Sequence, residues 1–99
     1  MMCYRRCFLC HRTETSYNRL EVHHIFSGAN RKLSEKYGLT VTLCHPCHNE
    51  PPDGVHYNAD VALYVHRYGQ RKAMKEQGWT VEEFREVFGQ NYLDTDETL

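Results

Sequence analysis

Two short stretches in the first half of the chain alternate apolar and polar side chains with the period of a β-strand. The first covers residues 20–25 (LEVHHI), and the second covers residues 39–43 (LTVTL). Both contain β-branched residues, which favour half-buried strands. Because neighbouring residues on a strand point to opposite faces, His23 and His24 are predicted to face different sides of the first strand or to lie at its end.

A short helix is predicted beside each strand. Residues 31–37 (RKLSEKY) follow a small polar loop and precede Gly38, a residue type that commonly ends a helix. After the second strand, Pro46 occupies a position where the first turn of a helix tolerates proline, so a helix is expected to open around Cys47 and His48. The turn-forming residues 51–54 (PPDG) should end that helix early.

The second half of the chain is predicted to be helical. Asn58 is a candidate cap for a long helix that Gly78 closes. Thr80 and Glu83 form a capping-box pattern that opens a last helix, which ends at Gly89. Together with the two strands, these helices predict a single α+β domain, which ends in an acidic tail over residues 94–99.

Four of the five cysteines form two pairs with the same two-residue gap, Cys7 with Cys10 and Cys44 with Cys47. This spacing in a chain too short to bury a large core is typical of one structural zinc held by four thiolates. Two disulfides are the alternative, but no secretion signal is evident at the N-terminus. We therefore expect a zinc protein of the cytoplasm with no membrane segment, and Cys3 is expected to be a free thiol.

Four histidines have no role in a zinc site made of thiolates: His23, His24, His48 and His56. They are too many for a small domain to bury without a purpose, so a second, open metal site is predicted. His23 or His24 alone would more often be an ordinary structural histidine, and His48 is an alternative zinc ligand in place of Cys47. The remaining histidines are expected to stay outside that site: His11 and His45 beside the zinc cysteines, and His66 on the surface of the long helix.

The net charge of −1 is unevenly distributed along the chain. Residues 1–75 carry eleven Lys and Arg against six Asp and Glu, whereas residues 76–99 carry one against seven. A positive body around a metal site suits a polyanion such as DNA, although a solvated surface of mixed charge is the plain alternative. The candidate phosphate contacts are Arg31, Lys32, Arg67, Arg71 and Lys72.

The two Cys-x-x-Cys pairs, the His-His strand and the Cys-x-x-Cys-His motif resemble the HNH endonucleases. The resemblance runs from Cys7 to about His56 and is strongest with small phage and prophage members, also in the segments NRKLSEKYGL and FGQNYL. It implies a zinc-stapled ββα-metal, treble-clef-like core over residues 1–57, followed by C-terminal helices over residues 58–93. The implied activity is hydrolysis of DNA phosphodiester bonds in phage-related processing or recombination, in a bacterial or phage-infected cell.

The resemblance also implies roles for individual histidines. His23 and His48 would hold a catalytic Mg or Mn ion, and His24 would be the general base. Phosphodiester hydrolysis independently asks for such groups, since imidazole has an unperturbed pKa of about 6.5 and can take a proton from water at physiological pH. A cation would neutralise charge on the phosphate.

The chain departs from the HNH pattern at two positions. Leu39 stands where the family usually has its middle asparagine, so Asn30 is the candidate to orient the base. Pro52 stands where some members have a further histidine, so His56 would have to act as a metal ligand from beyond the proline turn. Two rival interpretations remain: a non-catalytic zinc module that binds nucleic acid or protein, and, less favoured, a small redox protein.

Overall fold

The first half of the chain is built on a two-stranded antiparallel sheet in the computed structural model, which describes residues 5–93. Strand β1 (Glu21–His24) pairs with β2 (Thr40–Leu43), and His23 lies opposite Val41. Alternate burial along both strands confirms the predicted period, because Val22 is exposed while His23 is buried. A 3-10 turn (Gly28–Asn30) and helix α1 (Arg31–Lys36) connect the strands.

Three more helices follow the sheet: α2 (His45–Asn49), α3 (Ala59–Gln77) and α4 (Val81–Phe88). Helix α2 begins earlier than predicted, because Cys44 is its extended cap and Pro46 fits its first turn. The predicted caps of the others are confirmed: Asn58 accepts from two backbone N–H groups at the start of α3, and Thr80 forms a capping box with Glu83. No helix within residues 5–93 is both long and apolar enough to cross a membrane.

An aromatic cluster packs α4 against the region after β1. The ring centroid of Phe26 lies 4.7 Å from that of Phe88 and 5.6 Å from that of Phe84, and all three rings are buried. Helix α3 adds Val65 and Ala73 to the same core. The two C-terminal helices therefore share one core with the sheet, and the predicted α+β class is confirmed.

The chain after α4 turns back and is tied to α3. The buried side chain of Gln70 donates to Asn91 Oδ1 at 2.8 Å and accepts from the Tyr92 backbone N–H at 2.7 Å. His66 was predicted at the surface, and this is wrong: its ring is half-buried, with centroid distances of 5.5 Å to Phe26 and 4.6 Å to Tyr92. The sequence around His66 could not show this burial, because Tyr92, which packs on the ring, lies more than twenty residues further along the chain.

Helix α3 carries a glycine at the point where it crosses the end of β1. A Cβ atom at Gly69 would lie 2.5 Å from Ile25 Cγ2 and 3.1 Å from Phe26 Cε2. Alanine inside a helix normally gains about 1 kcal/mol over glycine, but overpacking a core costs about 1 to 3 kcal/mol. We therefore expect Gly69→Ala to lower the free energy of unfolding by up to about 2 kcal/mol in urea titrations.

Lys75→Ala is the matched control for that substitution, since Lys75 is exposed on the same helix. Its unfolding free energy should stay within about 0.5 kcal/mol of wild type. A Gly69→Ala protein that is more stable than wild type would show that α3 does not lie this close to Ile25.

Candidate metal centres

The four predicted zinc cysteines come together although the two pairs lie 34 residues apart. The Sγ atoms of Cys7, Cys10, Cys44 and Cys47 all lie within 4.8 Å of one another, and none of the four is in a disulfide. The Sγ atoms of Cys10 and Cys44 are 3.5 Å apart. Four thiolates at about 2.3 Å from a tetrahedral zinc would be about 3.8 Å apart, so the cluster can bind a metal such as zinc. Cys3 lies outside the described residues.

Local backbone structure presents the two pairs to each other. The first pair lies in a tight turn that His11 closes with a left-handed φ of 65°, its N–H donating to the Cys7 carbonyl at 2.9 Å. The Phe8 N–H donates to the Thr42 carbonyl at 2.8 Å, which fastens this turn to β2. The second pair lies at the junction of β2 and α2, where Cys44 caps the helix.

The thiols differ in how readily they ionise. Burial raises the pKa of Cys7, but hydrogen bonds from the backbone N–H groups of Cys10, Cys44 and Leu9 outweigh burial and lower this pKa to about 6. Burial, followed by the neighbouring thiols, raises the pKa of Cys47. Cys47, whose pKa is raised, must therefore release a proton when a metal binds, because the thiolate is the form that ligates.

A second cluster contains three histidines from three different segments. Ring nitrogens of His23, His48 and His56 all lie within 4.8 Å of one another, and the Nε2 atoms of His48 and His56 are 3.0 Å apart. His23 lies on β1, and His48 lies near the end of α2. The turn after α2 brings His56 back, because the Val55 N–H donates to the Cys47 carbonyl at 2.7 Å. All three predicted ligands of the second metal site are thus in one place.

These imidazoles suit a cation of intermediate softness. Burial, followed by the neighbouring His48 and His56, lowers the pKa of His23 to about 4, so its ring is neutral near pH 7. Burial and then His48 also lower the pKa of His56. Neutral imidazole suits ions such as Zn, Ni or Fe, whereas Mg prefers oxygen ligands. Two donors about 2.1 Å from one octahedral ion are about 3.0 Å apart, and the Nε2 atoms of His48 and His56 have this separation.

The sequence analysis did not identify Glu21, whose carboxylate contacts the histidine cluster through His48. Its Oε1 accepts from His48 Nδ1 at 2.8 Å and from Asn49 Nδ2 at 3.1 Å, and its Oε2 accepts from His45 Nδ1 at 3.1 Å. The hydrogen bonds from His48 and then from His45 lower the pKa of Glu21. A signal was present in the strand period, because a residue two positions before His23 shares its face.

His24 lies beside the cluster and has a carboxylate partner of its own. Its Nε2 is 3.0 Å from Oε1 of Glu35 on α1, and its side chain is 18% exposed. His24 and its neighbour His23 line the same cleft, which has a volume of about 380 Å³. The residues lining this cleft are Val22, His23, His24, Ser27, Arg31, His48 and His56.

The structure gives Asn30 a role different from the predicted one. Its side-chain amide donates to the Phe88 carbonyl at 2.9 Å, which joins the loop before α1 to the end of α4. The side chain bonded to His24 is that of Glu35. Position on α1 is the only hint that the sequence contains of the contact between His24 and Glu35. Glu35 lies one turn after Arg31, so both side chains share one face of the helix.

The five predicted phosphate contacts fall on separate surfaces. Arg31 lines the histidine cleft, and Lys32 is its exposed neighbour on α1. Arg71 and Lys72 line another groove of about 540 Å³, together with Tyr68, Lys75 and Glu76. Arg67 is engaged elsewhere, because its Nε donates to the Tyr92 carbonyl at 2.9 Å.

No family model, curated protein or solved structure matched this chain.

Proposed function

We propose that the protein is a metal-dependent endonuclease that hydrolyses DNA phosphodiester bonds, with an HNH-type ββα-metal core. The observation that carries this proposal is the convergence of His23, His48 and His56 in one cleft, with His24 beside them. In this proposal β1, β2 and α2 form the core, and the four-cysteine cluster holds a structural zinc. Phosphodiester hydrolysis needs a cation site and a base side by side, and the cleft contains residues for both.

His24 and Arg31 have distinct tasks in this reaction. His24 takes a proton from the attacking water, and Glu35 holds the imidazole by its Nε2 so that Nδ1 is left for the water. Arg31 lies on the same cleft, where its guanidinium can pair with a phosphate. A cation held by His23, His48 and His56 would neutralise charge on the phosphate and the leaving oxygen.

The ligand atoms of the cluster favour one of the two candidate catalytic ions, Mg and Mn. The cluster offers three imidazole nitrogens, and the nearby Glu21 carboxylate is already bonded to three donors. Because Mg binds oxygen ligands and resists nitrogen, we propose Mn as the better match for this site.

Nicking of supercoiled plasmid by the zinc-loaded protein tests the proposed function. Open circles should form with added Mn and should be absent when the added ion is omitted, with zinc content constant in both samples. The same assay distinguishes an endonuclease from the rival interpretation, a zinc module that only binds nucleic acid or protein. Such a module has no use for a paired His24 and Glu35. Failure to nick with Mn, Mg, Ni or Zn would contradict the enzyme proposal and favour that module.

DNA binding is expected to be strongly salt-dependent, because the contacts proposed for the cleft are with phosphates. Each neutralised phosphate contributes about −0.9 to the slope of log K against log salt on duplex DNA. Arg31→Ala should therefore make the slope shallower by about 0.9, measured by fluorescence anisotropy. Arg85→Ala on α4 is the control, since Arg85 lies between Glu82 and Glu86. A slope that Arg31→Ala leaves unchanged would remove this residue from the interface.

A further inference from the structure

We propose that Glu21 is a positioning residue that holds His48 in the one ring form able to bind a metal in the cleft. This inference rests on the proposed role of His23, His48 and His56 as a metal site. It assigns a task to a carboxylate that does not itself line the histidine cleft.

The short contact between Glu21 and His48 determines where the imidazole proton is. Oε1 of Glu21 lies 2.8 Å from Nδ1 of His48. A carboxylate oxygen only accepts hydrogen bonds, so two lone pairs would repel at this distance unless Nδ1 carries the proton. The amide nitrogen of Asn49 lies 3.1 Å from the same oxygen and also 3.1 Å from His48 Nδ1. This nitrogen only donates, so beside a protonated Nδ1 its hydrogen bond goes to the carboxylate oxygen. His48 is therefore the tautomer with Nδ1–H.

This proton position leaves Nε2 of His48 with its lone pair directed into the cluster. The nearest group there is Nε2 of His56, 3.0 Å away, which must then be the donor of the pair when no metal is bound. A chain of hydrogen bonds runs from His56 through His48 to Glu21. Without a partner at Nδ1, the proton of His48 could move to Nε2 and block the atom that a cation needs.

The other contacts of Glu21 keep it in this orienting role. Its second oxygen accepts from His45 Nδ1 at 3.1 Å, so both oxygens already have donors. The same side chain joins β1, which carries His23, to α2, which carries His48. Glu21 therefore sets both the tautomer of one predicted ligand and its distance from another.

Metal affinity of the zinc-loaded full chain tests the proposal without any measurement of cleavage. Titration calorimetry with Mn²⁺ should show about 10-fold weaker binding for Glu21→Gln and about 100-fold weaker binding for Glu21→Ala, the range typical when a group behind a metal ligand is removed. The glutamine variant keeps one acceptor and the side-chain volume, so it remains informative if the alanine variant fails to fold. Zinc content and circular dichroism verify the fold of each variant.

Glu50→Gln is the matched control. Its carboxylate also approaches His45, with Oε2 3.5 Å from Nε2. The polar side-chain contacts of His48 within residues 5–93 are with Glu21, Asn49 and His56. We expect its affinity for Mn²⁺ to stay within about twofold of wild type, since surface substitutions away from a site have small effects. If Glu50→Gln lost as much Mn²⁺ affinity as Glu21→Gln, the effect would come from the loss of negative charge in general. That result would overturn the positioning role.

The tautomer of His48 gives a readout that a merely structural role would not change. In ¹H–¹⁵N spectra of imidazole rings, wild-type protein without added Mn²⁺ should show His48 protonated at Nδ1, and Glu21→Ala should move the proton towards Nε2. A wild-type His48 protonated at Nε2, or wild-type protein that does not bind Mn²⁺, would overturn the inference. If wild-type protein binds Mn²⁺ and the Glu21 variants bind it more weakly as expected, but plasmid is not nicked, the positioning role stands and the endonuclease proposal fails.

Discussion

His24→Ala is expected to slow DNA cleavage by about two to four orders of magnitude, the usual cost of removing a general base. The ring lies in the cleft beside the three clustered histidines, but its Nε2 is bonded to Glu35 and not to them. Its loss should therefore leave zinc content, secondary structure, Mn²⁺ affinity and DNA affinity close to wild type. The measurement is the single-turnover rate of plasmid nicking at saturating Mn²⁺.

His23→Ala provides the contrast that separates a base from a metal ligand. It should also stop cleavage, but by weakening Mn²⁺ binding, so raised Mn²⁺ concentrations should restore part of its rate and none of the rate of His24→Ala. Nicking by His24→Ala at the wild-type rate would assign the base to another residue and remove the main support of the proposed mechanism.

Cys44→Ser is expected to abolish zinc binding and to unfold the first half of the domain. Cys44 is buried, immediately precedes α2 and is one of the four clustered thiols. Zinc contributes about 10 to 16 kcal/mol in small zinc-dependent folds, which matches or exceeds the whole stability of about 5 to 15 kcal/mol of a typical domain. Metal analysis should show no zinc, and circular dichroism should show reduced helix content.

Cys3→Ser is the matched control, since the sequence predicts Cys3 to be a free thiol. One zinc per chain and an unchanged thermal unfolding curve are expected for it. If Cys44→Ser kept a full equivalent of zinc and a native spectrum, the cluster would not be the site that holds this fold together.

Local signals in the sequence were sufficient for most of the elements. Asn58 and Thr80 start helices because their side chains accept from the first N–H groups, and Gly78 ends α3 because it takes a left-handed φ of 69°. The strand period placed His23 and Val22 on opposite faces. The equal gaps within the two cysteine pairs predicted their common cluster. Each of these rests on contacts within a few residues or on repeated spacing, which the sequence records directly.

The partners of the site histidines depended on tertiary structure. Glu35 reaches His24 across 11 residues, and Glu21 reaches His48 across 27. Asn30 was assigned to the base from its loop position, yet its amide bonds the Phe88 carbonyl, 58 residues away.

The residues able to bind metal could be recognised from the chain alone, because ligand type and spacing are local properties. Packing of distant segments brings His56 to His23 and His48 from beyond the proline turn, and it pairs Glu21 with His48 and Glu35 with His24. Hydrogen bonds between distant segments depend on how the helices pack on the sheet, and the periodicity of a single segment contains no information about that packing.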